Sequence, residues 1–226
     1  MRWRLIAVSL LSFCLIWGLH MVLPAQHNPV RKPDLTQPLG FATYGKLTLL
    51  KRNPQLCQRV LDEAGITVSI LEPDEPGGRC ALPQTYVLER SLTPYSAAPL
   101  RMTCHQIAAL YLLERHVMRP QAERLFGAPL SRIETYGSFS CRTIAGTRLR
   151  SQHSYANAID IAGFELADGR TISVLNDWRT DTQEGRYLKR VHRAACRLFS
   201  VSLGPDYNAA HADHFHYDMG SDSVCE

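Results

Sequence analysis

Residues 158–175 read AIDIAGFELADGRTISVL, and this stretch decides the fold class of the chain. Apolar side chains alternate with other residues over 158–164, which is the pattern of a half-buried strand. Asp168 and Gly169 then predict a hairpin turn, and residues 170–175 supply the returning strand. The segment therefore predicts an antiparallel β-hairpin.

Helical patterns stand on both sides of this hairpin. Asn53 and Pro54 predict the start of a helix, as its N-cap and its first residue, and Gly65 predicts its end. The other predicted elements are helices over residues 103–118, 120–126 and 185–200 and strands over residues 66–71, 132–142 and 213–219. Helices mixed with antiparallel strands indicate an α+β fold, with an antiparallel sheet and flanking helices.

The N-terminal part of the chain differs in composition from the rest. MRWR, at residues 1–4, carries two arginines, and the apolar run LIAVSLLSFCLIWGLHMVL follows at residues 5–23. This run is about long enough to cross a bilayer as a helix, and the preceding arginines favour a cytoplasmic N-terminus. We expect a membrane anchor, with a cleaved signal peptide as the open alternative. Residues 24–45 are Pro-rich and aperiodic, which predicts a linker to a folded domain at residues 46–226.

Either interpretation of the apolar run places the folded domain outside the cytoplasm. We expect a single-pass protein of the inner membrane whose domain lies in the periplasm. A hydrophobic fraction of 45% and a net charge of +4 are ordinary for a globular domain. No RNP, zinc-finger or helix-turn-helix signature accompanies this mild charge, so we expect no nucleic-acid partner.

Cysteine usage agrees with export. Cys14 lies in the apolar run, and the remaining cysteines are spread along the domain without a CxxC pair. An even number of separated cysteines favours three disulfides in an oxidising compartment. The pairing that the sequence favours most is Cys57 with Cys80, because these two are nearest and bracket a Pro/Gly-rich loop. The disulfide candidates are Cys57, Cys80, Cys104, Cys141, Cys196 and Cys225.

Histidines and aspartates concentrate in two short segments, SQHSYANAID at residues 151–160 and HADHFH at residues 211–216. Either segment alone is weak evidence of a site, because histidines and aspartates also occupy polar loops and salt bridges. Their combination in an exported chain leaves two interpretations open, a metal site and histidines that simply lie in loops.

The spacing within the segments can bring the side chains together. His153 ends a loop and Asp160 lies on the strand that follows it, so both can face one site. On the final strand, His214 and His216 point to one side and Phe215 to the other. Two imidazoles and one carboxylate suit Zn²⁺ with an open fourth position.

These residues carry a resemblance to zinc peptidases. SQHSYANAID is similar to the Ser-x-His-x-x-Gly-x-Ala-x-Asp signature of zinc D-alanyl-D-alanine carboxypeptidases and dipeptidases. HADHFH resembles the His-x-x-His-x-His segment of penicillin-insensitive murein endopeptidases. The chain also resembles bacterial extensin-like C-terminal domain proteins over nearly all of residues 46–226, including SCR at residues 140–142 and LGPDYNAAH at residues 203–211.

The resemblance implies a role for each matching residue. The implied zinc ligands are His153, Asp160 and His216. His214 would be the catalytic base or would stabilise the transition state, and His211 would lie in the same pocket. Asp213 stands where the carboxypeptidases have a glutamate base, but Asp is shorter and here points away from His216. We therefore favour His214 as the base, with Asp213 orienting a histidine.

Two further residues are candidates for substrate binding. Arg142 can pair with a substrate carboxylate, since arginine makes bidentate contacts with such groups. The alternative is a surface arginine beside a disulfide. Ser151 is grouped with Arg142, although we expect its hydroxyl to cap the turn rather than to react. Ala156 departs from the signature, which has glycine at this position.

The leading functional hypothesis is an envelope zinc-dependent peptidase. It would hydrolyse D-amino-acid-containing peptides of peptidoglycan with a metal-activated water. The alternative is a non-catalytic zinc- or peptidoglycan-binding module of the cell envelope, whose pocket holds its ligand without turnover.

Overall fold

The computed structural model describes residues 3, 6, 10, 11, 17, 18, 20–71, 80, 82, 84–97 and 99–226. About half of the predicted membrane anchor at residues 5–23 lies outside these residues. Among the residues described, no helix is both long enough and apolar enough to span a bilayer.

Runs of helices and runs of strands follow one another along the described chain, and the α+β fold with antiparallel sheets and flanking helices is confirmed. The helices are α1 Thr43–Arg52, α2 Pro54–Glu63, α3 Cys104–Leu113, α4 Arg119–Phe126, α5 Val174–Asp177 and α6 Gln183–Ala195. A π-helical turn, Glu114–Met118, joins α3 to α4. The strands are β1 Thr67–Ile70, β2 Thr85–Arg90, β3 Leu100–Thr103, β4 Leu130–Gly137, β5 Ala158–Leu166, β6 Thr171–Ser173, β7 Val201–Leu203, β8 Phe215–Asp218 and β9 Val224–Cys225.

The strands form two sheets. β1, β2 and β3 pair in that order in a small antiparallel sheet. The larger sheet has the order β4-β5-β8-β7-β9, with β6 paired to β5. Its neighbours are antiparallel except β7 and β9. β5 therefore lies between β4 and β8, and its N-terminal half is the part that pairs with β8.

The predicted hairpin and the predicted N-terminal helix of the domain are confirmed. β5 and β6 are antiparallel, and Gly169 takes φ of 86° in the turn between them. Helix α2 begins at Pro54, where the Asn53 side chain accepts a hydrogen bond from the Leu56 amide at 3.1 Å. Gly65 follows the helix with φ of 76°, a conformation that glycine adopts without steric cost.

Helix α3 is buried on every face, since each residue from Cys104 to Leu113 is buried. It packs against α1, α2 and α6 and against the small sheet. The single apolar stripe predicted for this region is therefore only part of its buried surface. The core continues under the large sheet, where the fully buried side chains include Ile159, Ile161, Phe164, Phe215 and Tyr217.

Several predicted boundaries differ from the structure. The strand predicted over residues 132–142 ends at Gly137, whose φ of 109° takes the chain out of the sheet. The helix predicted over residues 185–200 is Gln183–Ala195. The short strands β2, β3 and β7 have no counterpart among the predicted elements, because three to six residues are too few to show a clear period.

The segment predicted as a linker, residues 24–45, contacts the domain instead of running free of it. Leu35 is buried, and its carbonyl oxygen lies 3.0 Å from His116 Nε2. The Lys46 ammonium donates to the Ala25 carbonyl at 2.7 Å. Helix α1 also begins within the segment, at Thr43. A proline-rich sequence with one buried leucine shows no periodicity, so its packing is invisible in the sequence pattern.

Three disulfides cross-link the described residues, as the cysteine count predicted, but the favoured pairing is wrong. Cys57 pairs with Cys104, Cys80 with Cys141, and Cys196 with Cys225. Cys57 lies on α2, which packs against α3, and Cys104 is the first residue of α3. Helix packing therefore brings together cysteines that are 47 residues apart.

Replacing both Cys57 and Cys104 by alanine should lower the free energy of unfolding by about 2–4 kcal/mol, because the cross-link restricts the unfolded chain. Urea unfolding measures this difference. Peptide mapping of the oxidised wild-type protein should recover a Cys57–Cys104 peptide and a Cys80–Cys141 peptide. A recovered Cys57–Cys80 peptide would contradict the described pairing.

Candidate metal centre

Strand register places two candidate residues side by side. In the antiparallel pairing of β5 with β8, Asp160 lies directly opposite His216. Their sequence neighbours Ile159, Ile161 and Phe215 are fully buried in the core. Because side chains on a strand alternate between its faces, Asp160 and His216 both point away from that core.

His153 reaches the same face from a turn that precedes β5. The turn is a 3₁₀ helix, Gln152–Tyr155, and the Ser151 hydroxyl caps it by accepting a hydrogen bond from the His153 amide at 3.3 Å. Ala156 ends the turn with φ of 51°, a left-handed conformation that is rare for residues other than glycine. The resembled signature has glycine at this position. Ala156 adopts the left-handed conformation that glycine would take, so the turn is kept despite this departure.

Three ligand-type atoms converge on this face. His153 Nε2 lies 3.1 Å from Asp160 Oδ1 and 3.1 Å from His216 Nδ1. His216 Nδ1 lies 2.9 Å from Asp160 Oδ1. The three side chains are only 4%, 14% and 12% exposed, so the group is largely shielded from solvent. Within the described part of the chain, these atoms form a group that could hold a metal ion.

The second ring nitrogen of His153 and of His216 lies beside a hydrogen-bond acceptor. His153 Nδ1 lies 3.0 Å from the Ser138 carbonyl oxygen, and His216 Nε2 lies 2.9 Å from Asp218 Oδ2. Since a carbonyl and an ionised carboxylate only accept, these two nitrogens carry protons. In its neutral form, each imidazole therefore turns a lone pair towards Asp160. Two lone pairs and a carboxylate oxygen face one another, which calls for a cation or an added proton between them.

The donor set fits zinc in both chemistry and spacing. Zinc takes nitrogen ligands at about 2.0–2.1 Å, so two ligand atoms of a tetrahedral site lie about 3.3–3.4 Å apart. The three donor atoms here are 2.9 to 3.1 Å apart. Movements of a few tenths of an ångström would therefore suffice to admit the ion. Three protein ligands leave the fourth position of such a site open.

The electrostatics of the group follow from its geometry. Burial raises the pKa of Asp160, but its contacts with the His153 and His216 imidazoles, which donate to the carboxylate when they gain a proton, outweigh burial and hold that pKa well below its usual range. Burial lowers the pKa of His216, but hydrogen bonds to Asp160 and Asp218 and the charges of both carboxylates raise it to about 9. Without a metal, a proton on His216 thus supplies the missing positive charge at neutral pH.

A second hydrogen-bonded group, consisting of Tyr136, Asp213 and His214, lies beside the three ligand-type atoms. His214 Nδ1 lies 2.8 Å from Asp213 Oδ1, and the Tyr136 hydroxyl donates to Asp213 Oδ2 at 3.1 Å. The hydrogen bond from His214 is the main cause that lowers the pKa of Asp213. With Nδ1 protonated, His214 Nε2 carries a lone pair. This nitrogen faces the ligand-type atoms of the metal group and lies 3.7 Å from Asp160 Oδ1.

His211 borders the same face. Its ring centroid lies 5.2 Å from that of His214 and 5.9 Å from that of His216. Its Nδ1 lies 2.8 Å from the Asn208 side-chain oxygen. Burial lowers the pKa of His211 to about 4, and the charges of His216 and His214 act in the same direction. His211 is therefore neutral at about pH 7.

The two candidate substrate contacts occupy different environments. Arg142 is exposed and lies close enough for its charge to lower the pKa of His211. Ser151 is only 5% exposed, and its hydroxyl is engaged with the His153 amide. Arg142 thus borders the cluster formed by His153, Asp160, His216 and the neighbouring His211 and His214. Ser151 instead supports the turn that carries His153.

Sequence reasoning missed Asp218, Ser138 and Tyr136. A signal for Asp218 existed, because it lies two residues after His216 on the same strand and so on the same face. Ser138 contributes a backbone oxygen, for which the residue type gives no indication. Tyr136 depends on the pairing of β4 with β5, and the sequence does not show where β4 stops.

Comparison with known proteins gives one positive result. A family model described as "Extensin-like protein C-terminus" matches residues 55–226. Neither the curated proteins nor the solved structures include a match to this chain. The matched range contains all three donors, the Tyr136–Asp213–His214 group and the three disulfides.

With a metal chelator present, the free energy of unfolding should fall as the pH rises from about 6.5 to about 9. His216 has a folded pKa of about 9, above the value of about 6.5 expected in the unfolded chain. Protonated His216 therefore stabilises the fold below about pH 6.5, and this contribution is lost as the pH passes through the folded pKa. At about 1.4 kcal/mol for each unit of difference between the folded and unfolded pKa, the loss is on the order of 3 kcal/mol.

Urea unfolding at a series of pH values measures this slope. The variant His216→Gln cannot gain the proton, so its stability should change much less over the same window. A wild-type profile as flat as that of the variant would contradict the assignment.

Proposed function

The chain belongs to the extensin-like C-terminal family, and on this premise we propose that it is an envelope zinc-dependent peptidase. Its substrates are D-amino-acid-containing peptides of peptidoglycan, and the reaction is hydrolysis of an amide bond. The observation that carries the proposal is the convergence of His153 Nε2, His216 Nδ1 and Asp160 Oδ1 within 3.1 Å of one another, beside a histidine held by its own aspartate.

The export predicted from the sequence is consistent with the envelope as the site of action. We propose that residues 5–23 anchor the chain in the inner membrane by a single pass and that the domain lies in the periplasm. The three disulfides support this location because they persist in oxidising compartments. The substrate class rests on the resemblance of the two histidine segments to zinc carboxypeptidases and murein endopeptidases.

His153, Asp160 and His216 would hold the zinc ion. When bound in such a site, zinc polarises an amide carbonyl and lowers the pKa of a coordinated water towards about 7. Because Asp160 is the single carboxylate among the three ligands, the set would leave a divalent ion with a net positive charge. The protein's part is to keep one proton of each imidazole on the nitrogen that faces away from the ion, through Ser138 and Asp218.

His214 is the general base of the proposed reaction. Its Nδ1 proton is held by Asp213, so Nε2 is free to accept a proton from the attacking water. The same nitrogen can then pass that proton to the departing amine. The imidazolium formed in between is stabilised by Asp213, which Tyr136 holds in place.

Arg142 and His211 are the proposed substrate contacts at the rim. The exposed guanidinium of Arg142 is suited to a terminal carboxylate of the peptide. His211 carries its proton on Nδ1 towards Asn208, so its Nε2 can accept a hydrogen bond from a peptide N–H. These contacts would place a short acidic peptide end across the cluster.

Incubation of the full-length protein in detergent with muropeptides and zinc should release D-alanine or cleave cross-links, as detected by mass spectrometry. His214→Ala should reduce the rate by about 10²–10⁴-fold, the usual contribution of a general base, while zinc stays bound. His27→Ala serves as the control, because the side-chain contacts described for His27 are with Phe41, in the segment that precedes helix α1.

The possible outcomes separate the two functional hypotheses. Turnover that is lost in His214→Ala with zinc retained supports the peptidase. Stoichiometric zinc without any product from wild-type protein would overturn the peptidase in favour of a binding module. Absence of bound zinc from wild-type protein would overturn both the metal site and the mechanism.

A further inference from the structure

Asp218 ends strand β8 and is almost completely buried, with 4% of its surface exposed. Each of its carboxylate oxygens has a separate donor. Oδ2 lies 2.9 Å from His216 Nε2, and Oδ1 accepts a hydrogen bond from the Gly220 amide at 2.8 Å. Among the described residues, His216 is its ion-pair partner, and no lysine or arginine side chain lies within salt-bridge distance.

Both contacts of Asp218 require an acceptor. The Gly220 amide is a backbone N–H, which can only donate, so Oδ1 must accept. On the other side, His216 can turn a lone pair towards His153 and Asp160 only if its proton is on Nε2. Only a group that accepts at both of its ends satisfies these two demands, and an ionised carboxylate is such a group.

We propose that Asp218 is a positioning residue that fixes the tautomer of His216, so that Nδ1 presents a lone pair to the cation held with His153 and Asp160. This inference rests on the proposed metal site, because the tautomer matters most when Nδ1 is a ligand. Asp218 touches neither the ion nor the substrate, and it acts only through the imidazole.

An amide at position 218 cannot replace the carboxylate. If the amide oxygen stays with the Gly220 N–H, the amide NH₂ faces His216 Nε2 and forces the proton of the imidazole onto Nδ1. If the side chain flips, the NH₂ faces the Gly220 N–H and a buried donor is left without an acceptor. The first arrangement removes the lone pair that a metal needs. Asparagine and aspartate have nearly the same volume, so the substitution changes the hydrogen bonding and not the packing.

The test compares Asp218→Asn with Asp222→Asn in the full-length protein. Asp222 is exposed and lies four residues further along the chain, so the control makes the same change of charge away from His216. Zinc affinity is measured by competition with a chelator of known strength. Asp218→Asn should bind zinc about 10–100-fold more weakly, and Asp222→Asn should match wild type.

A second readout does not depend on zinc. Nitrogen NMR of the metal-free protein at alkaline pH, where the imidazole is neutral, should find the His216 proton on Nε2 in wild type. In Asp218→Asn it should be on Nδ1. If wild type binds no zinc, the metal proposal fails and this measurement alone decides the role of Asp218.

The conservative variant Asp218→Glu separates positioning from general support of the fold. It keeps an acceptor-only carboxylate, so it should bind zinc more tightly than Asp218→Asn. Equal loss of affinity in both variants would mean that Asp218 only supports the fold, and would overturn the proposal. Wild-type affinity in Asp218→Asn, with the proton still on Nε2, would also overturn it.

Discussion

The register between β5 and β8 is the constraint on which the candidate site depends. It sets Asp160 opposite His216, and the same register sends Ile159, Ile161 and Phe215 into the core. A slip of one residue would exchange the two faces and bury the polar pair among apolar side chains. The free energy of core packing therefore fixes the position of the cluster, and no separate interaction is needed to bring the two strands of the site together.

Three acceptors brought together in this way have an electrostatic requirement. Ser138 and Asp218 keep the protons of His153 and His216 on the far side of each ring. The near side then holds two lone pairs and an anionic oxygen, which repel one another unless positive charge lies between them. A proton on His216 meets this requirement in the metal-free protein, and zinc would meet it with all three groups as ligands. The same arrangement thus suits either a proton on His216 or a bound zinc ion.

Much of the fold and of the cluster could be predicted because both follow from local patterns. Alternation over residues 158–164 predicts β5, and the spacing of His214 and His216 predicts that both face the site, although β8 begins only at Phe215, directly after His214. Distant packing has no such pattern. The partner of Cys57 is set by the contact of α2 with α3, and the end of β4 is set by Gly137. The burial of Leu35 depends on a surface formed by residues far along the chain, so a proline-rich segment gives no sign of it.

Anomalous X-ray scattering at the zinc edge, from crystals of the zinc-loaded protein, would locate the ion itself. The proposed metal site requires one peak at about 2.0–2.2 Å from His153 Nε2, His216 Nδ1 and an Asp160 oxygen, with the fourth position facing His214 Nε2. A peak coordinated by His211 and His214 without His153 would contradict this site. So would the absence of any peak in protein that had been saturated with zinc.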